Sequence, residues 1–244
     1  MIESKKLFGV RVDILSGDIE NELASALGVK GNVIVPLTMK KLLMLRRNAK
    51  LRETVNNAFL VLPADRFVQW AVRFLYKIYV PLVTESVLLN KIFALGNAKR
   101  LSYFFYGSTD EHLFVLQQKL KRLYPGLTIV GAYREKIPDG WEEKVIEGIR
   151  KTDATFLLLM MRFPRDMSFI AEHKDKLHLT FYLGSDALNY FSGRKKPPPP
   201  WAIDRGLEWL SSALARPWRI HAVFRYLRFL ILVLFEKFTR KDLR

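Results

Sequence analysis

The chain has 244 residues, half of them hydrophobic, and a formal charge of +16 at neutral pH. That length admits one large α/β domain, or a core domain with an appendage. With no cysteine it excludes disulfides, thiolate nucleophiles and zinc sites of the cysteine type. The opening MIESKKLFGVRVDILSG lacks the uninterrupted apolar stretch of a secretory signal.

Short apolar runs alternate with longer amphipathic ones. NVIVPL at 32–37 reads as a strand, and TMKKLLMLRRNAK after it has helical spacing in Met39, Leu42, Leu43 and Leu45. AFLVLP is the next strand, Phe67–Tyr76 a helix, and a further helix is expected near Val87–Leu95. LSYFFYG is a strand that breaks at Gly107, and STDEHLFVLQQKLKRLYPG then opens with a cap candidate and carries an apolar stripe to Leu123. LTIVGAY is a strand and Trp141–Ile149 a helix. ATFLLLMM is apolar enough for a strand buried on both faces. A short helix around Met167–Glu172 precedes the strand LTFYLG. This alternation predicts an α/β, Rossmann-like fold with a mostly parallel sheet flanked by helices.

Four prolines at Pro197–Pro200 mark a stiff break, after which the chain reads as helix. The expected organisation is therefore a core over 1–196 and a helical, basic amphipathic appendage over 197–244. From Arg194 onward there are 12 Lys and Arg against 4 Asp and Glu, so half the excess positive charge lies in the last 51 residues. The run Arg216–Arg244 interleaves Arg219, Arg225 and Arg228 with Phe224, Phe229 and Phe235, a pattern suited to an anionic membrane interface. Its longest apolar run, Phe229–Phe235, is far short of the ~20 residues a spanning helix needs. The expectation is peripheral attachment at the cytoplasmic face of the cell membrane. Nucleic-acid binding rests on net charge alone and ranks last, since no recognition module is present.

In an open parallel sheet, ligands bind beyond the carboxyl ends of the strands. The candidates there are Thr38, Asp65, Glu85, Gly107 with Ser108, the stretch Arg162–Asp166, and Gly184–Asp186. Gly107 and Ser108 can present backbone N–H groups to a phosphate, or serve as an ordinary turn and cap. Asp65 is the best lone candidate for a general base; the plainer alternative is a pairing with Arg66 or Arg73 at a helix start. Glu85 is either a sugar hydroxyl acceptor or a first-turn residue favoured by the helix dipole. Asp166 faces a ligand or caps its helix, while Arg162 and Arg165 can clamp a diphosphate. His112 and His173 read as exposed helical residues. No HExxH, Walker or nucleophile-elbow signature occurs, and no compact Asp-x-Asp element offers a divalent-ion site.

Several segments taken together resemble the WecG/TagA/CpsF family of glycosyltransferases: LFGVRVDILS, YFFYGSTDEHLFVLQQKLKRLYPGLTIVGAY, and FSGRKKPPPPWAIDRGLEWLSSALARPWR. They cover most of the chain in consistent order. The resemblance implies a Rossmann-like core with a membrane-engaging C-terminal appendage. It also implies transfer, with inversion, of an N-acetylhexosamine-type sugar from a UDP-sugar to a polyprenyl-diphosphate-linked acceptor in cell-surface polysaccharide synthesis. No cofactor is implied. Asp65 would be the base, Thr38 and Glu85 would orient sugar or acceptor, and Gly107, Ser108 and Arg165 would hold the nucleotide-sugar.

The polar motifs depart from the family pattern. Where it has Thr-x-Asn, this chain has Pro36 and Thr38; its Asp-Gly falls on Ala64–Asp65 and its Gly-Ser-Asp on Thr84–Glu85–Ser86. Pro-Lys-Gln-Glu becomes Pro164–Arg165–Asp166–Met167, Gly-Ala-Phe-Asp becomes Asp186–Ala187–Leu188–Asn189, and an arginine after the GLEW motif becomes Ser212. Two outcomes fit: a divergent enzyme, or a catalytically degenerate membrane-associated partner of another glycosyltransferase. An appendage docked on its own core or on a neighbour's leaves a homo-oligomer open.

Overall fold

A computed structural model describes residues 2–15, 17–26, 31–138, 140–183, 185–193 and 221–241. The sequence reading leaves the first 26 residues without elements. They form strands β1 (Ile2–Leu7) and β2 (Val10–Leu15), antiparallel across a turn at Phe8 and Gly9, followed by helix α1 (Ile19–Ala26). The main sheet follows: β3 (Val33–Leu37), α2 (Met39–Leu45), α3 (Ala49–Asn56), β4 (Leu60–Pro63), α4 (Arg66–Tyr76) and α5 (Glu85–Lys99). Next come β5 (Ser102–Tyr106), α6 (Asp110–Leu123), β6 (Thr128–Tyr133), α7 (Glu142–Arg150), β7 (Phe156–Leu159) and α8 (Arg165–Leu177). β8 (Thr180–Tyr182), α9 (Ser185–Phe191) and α10 (His221–Lys241) complete the described elements.

Among the described residues the six sheet strands run in the order β4-β3-β8-β7-β5-β6, every neighbouring pair parallel. The inner strands read VIVPL, FLLL and TFY because helices cover both faces and leave no polar side to alternate with. Successive residues still point to opposite faces. Val33, Val35, Leu157, Leu159 and Phe181 pack with α2, α3, α4, α7 and α8, whereas Ile34, Phe156, Leu158 and Tyr182 pack with α1, α5, α6 and α9.

The β4 edge is closed by side chains from the hairpin. Asp13, buried, accepts from Val61 N at 2.8 Å, and the Arg11 guanidinium donates to the carbonyls of Asn56, Ala58 and Phe59. Groups that would otherwise template another strand are thereby occupied.

α10 docks on its own core. Phe229 is fully buried between Phe8, at 5.9 Å between ring centroids, and Phe67, at 6.2 Å; Tyr226 stacks on Phe67 at 4.8 Å and Val233 is buried below them. Phe229 was expected on the membrane side, and this burial corrects that expectation: the helix is apolar around most of its circumference, and one stripe is used for packing. Arg219 and the four prolines lie outside the described residues. No helix among the described residues is long and apolar enough to cross a membrane.

Two smaller expectations also change. The helix expected near Met167–Glu172 extends from Arg165 to Leu177, with His178 in the left-handed conformation at its end. His173 is buried rather than exposed, 4.8 Å from the Phe169 ring, because it lies on the same inward stripe as Phe169, Ile170 and Leu177.

Candidate active site at the carboxyl ends of the strands

The helices directly after β3, β4 and β7 (α2, α4 and α8) pack on one face of the sheet, and those directly after β5 and β8 (α6 and α9) pack on the other. Adjacent chain segments therefore leave opposite faces of the sheet beyond β5, β7 and β8, the arrangement at which open parallel sheets bind ligands. Thr38 and Gly107 directly follow β3 and β5, Asp65 lies two residues past β4, and Asp166 and the start of α9 belong to the helices that come after β7 and β8.

Asp65 joins two helix starts. Its Oδ1 accepts from Val68 N at 2.8 Å as the cap of α4, and its Oδ2 accepts from Met39 N at the first residue of α2. The described partners of Asp65 are thus helix amides. Burial pushes the Asp65 carboxyl up to about 6, against the pull of the amide donors; the nearby Glu85 charge adds to the rise. Thr38 caps α2 through Lys41 N at 3.4 Å, and Thr84 caps α5 through Val87 N at 3.3 Å.

Glu85 is the first residue of α5 and is nearly buried. Its Oε1 accepts from Lys41 Nζ at 2.8 Å and its Oε2 accepts from Ala187 N at 3.3 Å. Lys41 is the residue that sequence reasoning missed. Strands β3 and β8 pair only at Val33–Phe181 and Ile34–Tyr182 and then part. Lys41 Nζ reaches into the gap and donates at 2.9 Å to the carbonyls of both Pro36 and Leu183. Its three ammonium hydrogens are thereby satisfied: two by the parting strands, one by Glu85. The available signal was a lysine on the same helical stripe as Leu45, next to Leu42.

Asp166 is fully buried at the second position of α8, two residues inside the cap position expected for it, which Pro164 takes. Its Oδ1 accepts from Met167 N at 2.7 Å, whereas Oδ2 is buried without a hydrogen-bond partner. Burial pushes this carboxyl up to about 6 as well, opposed chiefly by the Lys41 ammonium. Asn189 on α9 is buried, with its Oδ1 likewise unpartnered. The electrostatic coupling among Asp65, Glu85, Lys41 and Asp166 marks them as one polar cluster, buried but for the half-buried Asp65.

The β5 side is built from backbone. Gly107 has φ +118°, and a Cβ there would stand 2.9 Å from Met160 C and Met161 N, so the close approach of the β5 and β7 ends requires glycine. Ser108 follows at φ +67°, buried, with its carbonyl accepting from Glu135 N at 3.1 Å. The cap residue of α6, Thr109, turns its hydroxyl to His112 Nδ1 at 2.6 Å instead of to the helix amides. Arg165 is exposed and paired with Glu135 at 3.2 Å, and Arg162 is exposed. Gly107, Ser108 and Arg165 are thus linked through the segment after β6.

A family model described as "Glycosyl transferase WecG/TagA/CpsF family" matches residues 5–243. The chain belongs to that family. Membership makes it a member of a glycosyltransferase family active in polysaccharide biosynthesis, on a largely parallel α/β scaffold. The match extends through α10, so the helix docked by Phe229 is part of the family's own span.

Proposed function

We propose that this protein transfers an N-acetylhexosamine-type sugar from a UDP-sugar to a polyprenyl-diphosphate-linked acceptor by a single inverting displacement. The observation that carries this reading is the pair of carboxylates of raised proton affinity, half-buried Asp65 and buried Asp166, at the strand ends of a glycosyltransferase-family fold. A carboxylate whose proton affinity has been raised toward neutrality is a better base than a solvated one and is still ionised above pH 6.

In the proposed step the acceptor oxygen forms a bond to the anomeric carbon as the bond from that carbon to the UDP oxygen breaks. The acceptor proton passes to Asp65, and UDP departs with the bonding pair. The amides that hold Asp65 fix its orientation and leave further lone pairs on its oxygens. Thr38, at the adjoining helix start, orients the acceptor or sugar. Asp166 Oδ2 and Asn189 Oδ1, unpartnered acceptors, suit sugar hydroxyl or amide donors. Gly107, Ser108, Arg162 and Arg165 serve the diphosphate, where fixed cations and N–H groups offset the charge that develops. Glu85 acts through Lys41, as a residue that holds α2, α5 and α9 in register around the strand ends.

The stretch 197–244 is proposed to place this site at the cytoplasmic face of the membrane, with the exposed side of α10 against lipid. Phe224, Leu227, Ile231, Leu234, Phe235 and Phe238 are all exposed on that helix, with Arg225 and Arg228 beside them. A second reading, a degenerate partner of another glycosyltransferase, is favoured by one observation: both Asp65 oxygens are already engaged by helix amides.

UDP release, with a panel of UDP-sugars and a short-chain polyprenyl-diphosphate-sugar acceptor, decides between them. Acceptor-dependent release, reduced ~10²–10⁴-fold in Asp65→Ala, supports the transferase. A folded, lipid-bound protein that releases no UDP from any donor supports the degenerate partner.

A further inference from the structure

The exposed apolar surface does not end at α10. Tyr226 and Phe229 contact Phe67 near the start of α4, and Lys237 Nζ lies 3.7 Å above the Phe74 ring near its end, so the two helices run side by side in the same direction. Each residue turns a helix by about 100°. On α10 the side toward the hairpin carries Phe229 and Glu236, whose Oε2 accepts from Phe8 N, and the side toward α4 carries Tyr226 and Lys237. Continuing past α4, the next arc holds Leu234, Leu227, Phe238 and Ile231, between 44% and 65% exposed.

α4 turns a matching arc outward. Arg66, Trp70, Arg73 and Lys77 follow at spacings of four, three and four residues and are all exposed, and Trp70 stacks on Phe74 at 5.1 Å directly beside α10. Tyr79, just beyond the helix, is 76% exposed with the Arg73 guanidinium 6.0 Å from its ring centre. Neither helix carries an acidic residue except Glu236, which is turned to the hairpin.

We propose that α4 of the core is the second half of a lipid-binding face: Trp70 and Tyr79 sit at headgroup level, and Arg66, Arg73 and Lys77 meet anionic headgroups alongside the exposed stripe of α10. This rests on the placement of α10 against lipid made above and extends it to the helix that Asp65 caps. Indole and phenol rings with one polar end suit the membrane–water boundary. The composition separates the possible occupants. A second copy of this face would bring like charge against like. Nucleic acid would use the cations and the aromatic rings but has no use for an aliphatic stripe.

Vesicle sedimentation with phosphatidylcholine alone and with added phosphatidylglycerol tests the proposal on the full-length protein. R73Q/K77Q is expected to weaken binding to the anionic vesicles about 25-fold, from roughly fivefold per charge removed. W70Q/Y79Q is expected to weaken binding to both vesicle types. Both pairs lie on exposed positions, and their thermal unfolding should match the parent's. If both bind like the parent while L227S/I231S does not, α10 alone meets lipid and the proposal is overturned, with the α10 placement intact. If α4 variants lose binding and L227S/I231S keeps it, the α4 face stands and the α10 placement fails. A parent protein that ignores both vesicle types, or prefers a single-stranded oligonucleotide to anionic lipid, overturns both. UDP release is scored separately with soluble acceptor, so loss of the transferase reading does not mimic any of these outcomes.

Discussion

Replacing Lys41 with methionine tests the organisation of the candidate site most directly. The substitution keeps an apolar stem of similar length but removes three hydrogen bonds, to Pro36 O, Leu183 O and Glu85 Oε1. It leaves Glu85 buried with Ala187 N as its remaining side-chain donor among the described contacts. Breaking a buried pair from one side costs about 3–5 kcal/mol. At roughly 2–4 °C per kcal/mol for a chain of this size, the unfolding midpoint should fall by about 10 °C. K41M/E85Q removes the stranded charge and should recover more than half of the loss. Asp166 supplies the pH dependence. It takes up its proton near 6 in the fold, against 3.8 in the unfolded chain, so the folded form binds more protons between those values and this group costs stability above them. Lys41 opposes that shift, so its removal raises the folded value further and enlarges the cost at pH 7–8. The deficit of K41M should therefore narrow as pH falls toward 5. Urea denaturation at pH 7.5 and pH 5 reads both effects. A loss below about 1 kcal/mol, or equal losses in K41M and K41M/E85Q, would refute the picture of one interdependent cluster.

Three further outcomes are expected. Transfer by the parent enzyme should fall on the acid side with a midpoint near pH 6, as Asp65 becomes protonated; a rate flat down to pH 4.5 would remove Asp65 from the base role. Gly107→Ala places a Cβ 2.9 Å from backbone atoms of Met160 and Met161 at φ +118°, so it should cost more than about 1 kcal/mol in denaturant unfolding. Phe229→Ala should withdraw about 3–5 kcal/mol from the docking of α10. Limited proteolysis should then trim the C-terminal helix while the sheet core still unfolds cooperatively; a helix that stays protected would mean that Tyr226 and Val233 suffice.

The strands that position the site were readable because both faces are covered, so Val33–Leu37 and Phe156–Leu159 appear as unbroken apolar runs between turn residues. The hairpin at 2–15 was not, since its contribution lies in Asp13 and Arg11, which read as surface charges and in fact serve the β4 edge. Lys41 was missed for a related reason. A lysine between Lys40 and Leu42 reads as a solvated position until the parting of β3 and β8 exposes two carbonyls that need a donor. Asp65, Glu85 and Asp166 were found from their place after strands or at helix starts, but their burial was not legible, because it depends on helices far along the chain meeting at one end of the sheet. Phe229 and Phe224 looked alike in sequence, and only the position of Phe8 and Phe67 separates the inward ring from the outward one.

The contacts of Phe8 with Phe229, and of Phe8 N with Glu236, join residues 221 and 228 positions apart. During synthesis, the turn that carries Phe8 is made more than 200 residues before the ring that covers it. Until then Phe8 and Phe67 present an uncovered aromatic surface, and transiently exposed apolar surface of this kind favours aggregation of incompletely folded chains. Docking of α10 is therefore the step that removes this surface, and a chain lacking Phe229 would keep it open in the folded core.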